Sequence, residues 1–374
     1  MDMENLEKEL KKAFYWFHSH PELAYEEYET TKKIKDFLTN HGVEVLPYEL
    51  KTGLVAVVRG EKEGAVQAIR CDIDALPVDE KTDLYYRSGV AGKMHACGHD
   101  MHITAGIGCA VLLQENKADL KGTIKIIFQP AEETSLGALK ILETDVMEDV
   151  ECVWGIHADP TNEVGTVAIR EGYVAAAVDR FEITVKGIGC HGAHPDDGID
   201  PIPVAAAIIQ ALQSIVSRNV NAFHPSLLSV TRVHAGTTWN VIPSEAVMEG
   251  TVRTMEPADR ILYEKRLRQI AEKTAQAYGA EAEVEWIAGS PAVYNHKDMA
   301  ALCLQKAKEL GLPTAVEESS LGGDDFAFYE EKIPGCYVKI GTGVGFPIHH
   351  PKFMVDPEVL LPAARFLAEL VIKK

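Results

Sequence analysis

The chain of 374 residues lacks any apolar run of the roughly 18 residues that a membrane-spanning helix requires. It is also short of positive charge, with 37 Lys and Arg against 56 Asp and Glu and a formal charge of −19. Nucleic acid and anionic membrane surfaces attract a basic face, so neither is expected as a partner. Cysteine is sparse: seven residues, odd in number and scattered, in a chain long enough to need no disulfide framework. Free thiols in a reducing cytoplasm are the simplest reading. No signal-peptide apolar core is seen near the start; Leu6, Leu10, Ala13, Phe14 and Phe17 instead mark one stripe of a charged amphipathic helix. There is no low-complexity tract and no internal repeat. What remains, 46% hydrophobic and 25% charged, is the composition of a globular protein too long for one core.

Short apolar runs rich in β-branched residues predict strands at Leu54–Val58, Val66–Ile73, Thr123–Phe128 and Cys152–Ile156. Helical patterns lie between several of them, which predicts an α/β sheet covered on both faces. Beyond Tyr173 the pattern becomes strand, helix, strand, strand, helix, strand, ending near Trp286. That is the ferredoxin-like split motif. The α/β style then resumes, with a helix near Asp298–Leu310, a strand at Tyr337–Ile340 and a last helix from Pro357. The expected architecture is one α/β domain, residues 1–177 and 289–374, interrupted by a smaller α+β domain, residues 178–288.

Chemistry concentrates at four predicted strand ends and one nearby stretch, Met94-His95-Ala96-Cys97-Gly98-His99-Asp100-Met101-His102. Thiolate and imidazole are the donors that divalent transition metals prefer. Asp72 and Asp74 close the strand ending at Ile73, where a carboxylate either orients a ligand His or caps the next turn. Glu132 and Glu133 follow Pro130, which predicts the first turn of a helix; adjacent carboxylates also diverge enough for one to bind metal and the other to move a proton. His157 ends the strand after Cys152, and His349 and His350 follow the strand Tyr337–Ile340. Any one His could be purely structural, but four such clusters in one domain point to a metal hydrolase.

Together, Arg70-Cys71-Asp72-Ile73-Asp74-Ala75-Leu76-Pro77, Met94 to Asp100, Gln129-Pro130-Ala131-Glu132-Glu133 and Gly322-Gly323-Asp324-Asp325-Phe326-Ala327 resemble the M20 metallopeptidase family. Its amidohydrolase branch (subfamily D), of aminoacylase and hippurate hydrolase type, is the nearest in pattern, and the resemblance runs from His20-Pro21-Glu22-Leu23 to His349-His350-Pro351. It implies a zinc-exopeptidase-like catalytic domain, a mixed sheet flanked by helices, with an inserted lid that forms a homodimer. It also implies two divalent ions, zinc or else manganese, cobalt or nickel. Cys97, His99, Glu133, His157 and His349 look like their ligands, with Cys97 bridging and Glu132 as general base and then acid. Asp74 and Asp100 would support the ligands from behind.

In the inserted segment, Gly187 to Pro195 is similar to the family's His-bearing loop, so His191 would reach the partner subunit's site and polarise the scissile carbonyl. Asn240, in Gly236 to Pro243, and Arg253, in Gly250 to Thr254, match substrate-contacting positions. An ion pair is the plain alternative for Arg253. Two positions depart from the pattern: Cys190, where relatives usually carry Gly, and Asp324, where many carry Glu. The implied reaction is hydrolysis of an N-acyl-amino acid. The alternatives are a dipeptidase or carboxypeptidase on the same centre, a silent binding protein, and a redox sensor built on Cys97 and Cys190.

Overall fold

A computed structural model describes residues 2–372 and divides into two compact units. The first is Met1–Gly172, Tyr294–Glu318 and Asp325–Lys374; the second is Tyr173–Val293 with Ser319–Asp324. The chain begins with helices α1 (Met3–Ser19) and α2 (Tyr28–Asn40). Strands β1 (Glu44–Val45), β2 (Leu54–Arg59) and β3 (Lys62–Asp72) follow. Then come α3 (His99–Glu115), β4 (Lys121–Gln129), β5 (Cys152–Asp159) and β6 (Val167–Ile169). The expected stripe of α1 is buried, and His18 is buried with it.

The second unit contains β7 (Ala177–Lys186), α4 (Pro201–Ser214), β8 (Ser226–Ala235), β9 (Glu245–Thr254), α5 (Pro257–Ala277) and β10 (Glu281–Ala288). Its strands pair antiparallel in the order β8-β9-β7-β10, the ferredoxin-like arrangement. Alternation along β7 sends Phe181, Ile183 and Val185 to one face, where Ile208, Leu212, Tyr263 and Leu267 cover them. The boundaries fall a few residues outside those predicted, and the return of 319–324 is not signalled by periodicity. Backbone bonds explain that return: Ser320 N–H donates to Val174 O at 2.9 Å and Ala176 N–H to Gly322 O at 2.8 Å.

The first unit is completed by α6 (Lys297–Glu309), β11 (Thr314–Val316), β12 (Gly335–Gly341) and α7 (Leu360–Val371). Its eight-stranded mixed sheet runs β1-β2-β4-β3-β5-β12-β6-β11. The central strands β4, β3, β5 and β12 are parallel, so their C-terminal ends share one edge. Such strands are buried on both faces, which is why they read as continuous apolar runs rather than alternating ones. α3 is buried almost all round, between α1, α7 and β3. Its N-terminus, with His99, therefore opens where β3, β4 and β5 end, the usual place for a site in an α/β sheet.

Candidate metal centre

Five donors gather at that edge of the first unit. The ligand atoms of Cys97, His99 and His157 lie within 4.8 Å of one another, as do those of Cys97, Glu133 and His349. Cys97 belongs to both groups, and a third group joins His99, Glu132 and Glu133 within the same distance. Gly98 makes the approach possible. Its φ of +86° is left-handed, and a methyl group there would lie 2.5 Å from Ala158 Cβ. Without that side chain the Cys97-Gly98-His99 corner presses against the end of β5, leaving Cys97 Sγ 3.3 Å from His157 Nε2.

Backbone carbonyls settle the tautomers of two imidazoles. A carbonyl only accepts, so His99 Nδ1 donates to Asp74 O at 2.9 Å and His157 Nδ1 donates to Ala158 O at 2.8 Å. When neutral, each ring then turns an Nε2 lone pair toward the cluster, the form a metal requires. His349 adopts φ +64°, unusual for a residue with a Cβ, and is held by its N–H to Ala96 O at 2.7 Å. Its Nε2 is 3.4 Å from Glu133 Oε1. His350 turns elsewhere: its ring stacks on Phe346 at 4.5 Å and its Nδ1 accepts the Lys352 N–H.

The acidic pair does not begin a regular helix. Glu132–Thr134 is a single 3₁₀ turn between Ala131 and Ser135, both left-handed at φ +56° and +57°. Asp74 explains why: its carboxylate accepts the Glu132 N–H at 3.1 Å and the Glu133 N–H at 3.0 Å, shaping the turn around one anion. The same carboxylate lies 3.2 Å from His99 Nδ1, so Asp74 braces three residues of the cluster. Asp100 has a different occupation from the ligand support expected of it. It accepts a 2.6 Å hydrogen bond from His18 of α1. The reason is helical geometry, since position 100 points across α3 toward α1.

Charge is held tightly here. Burial pushes the Cys97 thiol up to about 12, with His99 pulling the other way. Burial would lower His99, but Asp72 and Cys97 carry it well above its ordinary value. Burial would raise Glu133, yet His349 and His99 hold it below the usual carboxylate range. His99 Nε2 and Glu133 Oε1 are buried with no hydrogen-bond partner. The two atoms lie 4.0 Å apart, and a cation held by both would replace the proton that the raised His99 ring otherwise keeps and would satisfy both at once. The donor set, one thiolate with imidazoles and a carboxylate, fits a pair of divalent ions.

Two residues without a role in the sequence reading complete the surround. His102, one turn after His99, is fully buried; its Nε2 accepts the Ala158 N–H at 2.8 Å and its Nδ1 donates to Asp72. Arg70 is buried between Asp72 and Asp325, at 2.6 Å from each. The signal available in advance was the charge of Arg70 between the apolar residues Ile69 and Cys71, because a buried cation demands paired anions.

The remaining expected residues lie in the second unit. His191 and Val241 pair across a two-stranded ribbon, Cys190–His191 with Val241–Ile242, beside a groove of about 720 Å³. His191 Nδ1 accepts the Ala193 N–H at 3.0 Å, so the neutral ring carries its hydrogen on Nε2. Asn240 is part-buried next to this ribbon, its backbone O accepting the Gly192 N–H. Arg253 is half-buried on β9, bonded to Thr251 Oγ1 and Val252 O, and forms no ion pair among the described residues.

This geometry has counterparts. The chain is 48% identical over 356 residues to an N-acetylcysteine deacetylase of Bacillus subtilis strain 168, covering 95% of this chain and 94% of that one. It is 42% identical over 369 residues to an N-acetyl-L-cysteine deacetylase of the same strain, covering 99% and 89%. A crystal structure of the Bacillus subtilis YXEP protein, described as a dinuclear metal binding peptidase from M20 family, superposes with a TM-score of 0.91. That chain is 44% identical, and 99% of this chain and 98% of that one are covered. The family model for peptidase family M20/M25/M40 matches residues 68–373. With that match across most of its length, the chain belongs to peptidase family M20/M25/M40.

Proposed function

We propose that the protein hydrolyses the amide bond of N-acyl-L-amino acids, N-acetyl compounds foremost, to release a carboxylate and a free amino acid. The observation that carries this reading is Glu132, placed among the donors in the same turn as Glu133 and one residue before it. Cys97, His99, Glu133, His157 and His349 would hold two divalent ions. When bound, such a pair acidifies water toward neutrality and polarises a carbonyl. Zinc suits the thiolate and imidazole donors best, with manganese, cobalt and nickel as alternatives.

Glu132 takes a proton from the attacking water and later delivers it to the leaving nitrogen. In this reading the first unit carries the chemistry and the second serves as lid and homodimer contact. The partner subunit's His191 would donate its Nε2–H to the developing oxyanion, worth about 3 kcal/mol for a well-placed donor. Arg253, which pairs with no carboxylate among the described residues, receives the substrate carboxylate, and Asn240 contacts the substrate. A cytoplasmic setting keeps Cys97 reduced.

The test is a panel of N-acetyl-amino acids beside a panel of dipeptides, run after chelation and restoration of each metal. N-acyl substrates should be turned over only with metal restored, and Glu132→Ala should lose at least about 100-fold in kcat while still binding metal. Preference for dipeptides by about tenfold or more would replace this reading with a dipeptidase.

A further inference from the structure

Glu27 occupies the N-cap position of α2, where an acidic side chain ordinarily accepts a hydrogen bond from its own helix. It makes no such bond. Glu22 does that work instead, accepting the Glu29 N–H at 3.2 Å and the Thr30 N–H at 2.8 Å. The Glu27 carboxylate is thereby released and fully buried. Its Oε1 accepts the Ala131 N–H at 2.9 Å and its Oε2 accepts from Thr52 Oγ1 at 2.7 Å. Ala131 is the left-handed residue immediately before Glu132.

Three successive amides, those of Ala131, Glu132 and Glu133, are thus held by two carboxylates, Glu27 and Asp74. We propose that Glu27 is a positioning residue for the reaction: by clamping Ala131 in its left-handed conformation it sets the direction in which Glu132 and Glu133 leave the turn. The proposal rests on the reading of Glu132 as proton carrier and Glu133 as ligand. An L-residue with a Cβ resists the left-handed region, whereas glycine enters it freely. Ala131 therefore needs a clamp, and the clamp is anchored at Thr52, on the loop leading into β2. Burying a carboxylate for this purpose is costly unless its hydrogen bonds are made, and both oxygens here are satisfied.

The experiment compares Glu27→Met, which keeps volume but removes the acceptors, with Glu27→Gln, which still accepts from Ala131 and donates to Thr52. Two quantities are measured on each: kcat and KM for an N-acetyl-amino acid, and cobalt(II) binding to the stripped protein by visible absorption without substrate. Glu27→Met should lose roughly 10- to 100-fold in kcat with KM within about threefold, because misplacement rather than binding is affected. Its weaker cobalt step should weaken by about tenfold or more, since Glu133 shares the turn. Glu27→Gln should stay within about threefold of the parent on both, because it keeps an acceptor for the Ala131 amide. Adding Ala131→Gly to Glu27→Met should recover most of both losses, which a generally damaged fold would not do.

If Glu27→Met does not fold, Thr52→Val, which removes one anchor of the same carboxylate, takes its place with a smaller loss and the same rescue. A folded Glu27→Met or Thr52→Val protein within twofold of the parent on kcat and cobalt binding overturns the proposal, as does failure of Ala131→Gly to rescue. Absence of amide hydrolysis in the parent would overturn the substrate reading instead, and the cobalt measurement would still decide the clamp.

Discussion

His102 and Ala158 are joined by a hydrogen bond that runs opposite to the usual direction for a histidine beside a metal site: the Ala158 N–H donates to His102 Nε2 at 2.8 Å. The ring must then carry its proton on Nδ1, where Asp72 accepts it. His102 therefore serves as a strut from β3 to the end of β5 and not as a ligand, although it lies near enough to His99 and Asp72 to resemble one. Because Ala158 follows His157 directly, the strut fixes where that donor stands.

Replacing the strut should be felt by the metal before the fold. His102→Phe keeps the buried ring but removes both hydrogen bonds, and should weaken metal affinity by about 10- to 100-fold, the usual effect of losing a supporting contact. Competition with a chromophoric chelator measures it. An affinity within twofold of the parent would show that β5 positions His157 unaided.

Gly98→Ala tests the corner between Cys97 and His99. The φ of +86° alone costs an L-residue about 1–3 kcal/mol, and the new methyl also meets Ala158. Thermal and urea unfolding should show that loss, with weaker metal binding. Adding Ala158→Gly should relieve the collision but not the backbone strain, so recovery should be partial. Full recovery would mean that the backbone conformation costs little.

The buried triad of His18, Asp100 and Glu80 makes stability depend on pH. Burial opposes charge on His18, but hydrogen bonds to Asp100 and Glu80 outweigh it and carry the ring up to about 9. A raised value means that its contribution is complete below the unfolded value of about 6.5 and fades as the pH climbs through 9. Burial would raise Asp100 and Glu80, yet both are held low by His18, so their share is lost on the acid side, below about pH 4. Chemical denaturation should therefore show the parent exceeding His18→Gln by the most near pH 5–6, on the order of 3 kcal/mol, and by much less at pH 9.5. A difference that stays constant from pH 5 to 9.5 would rule out a charged His18.

Arg253→Met separates binding from chemistry. If the guanidinium takes the substrate carboxylate, KM should rise by about 10- to 100-fold with kcat changed far less, the loss expected for a charge-assisted hydrogen bond. The methyl ester of the same substrate should be handled alike by parent and variant. An equal loss on acid and ester would remove Arg253 from the substrate site.

Much of the fold was legible in the residues. The central strands were read from continuous apolar runs, the second unit from its element order, and α1 from a stripe of five apolar residues that is indeed buried. The Glu132 turn was not legible as such. Pro followed by two acids reads as a helix start, and only Asp74, nearly 60 residues away in sequence, converts it into a short turn between two left-handed residues. The partner of Asp100 was not legible for a similar reason: local spacing puts it beside His99, while the packing of α1 gives it His18.

By itself the sequence determined the inventory: one thiol, imidazoles and carboxylates at strand ends, an acidic surface, and the family motifs that join them. Those are properties of residue type and local period, which neighbouring residues dictate. Tertiary structure alone decided which nitrogen each imidazole presents, which of His349 and His350 faces Glu133, and which carboxylates brace the Glu132 turn. Each of these depends on a hydrogen-bond partner distant in the chain, and a buried polar group takes its state from whatever the fold sets opposite it.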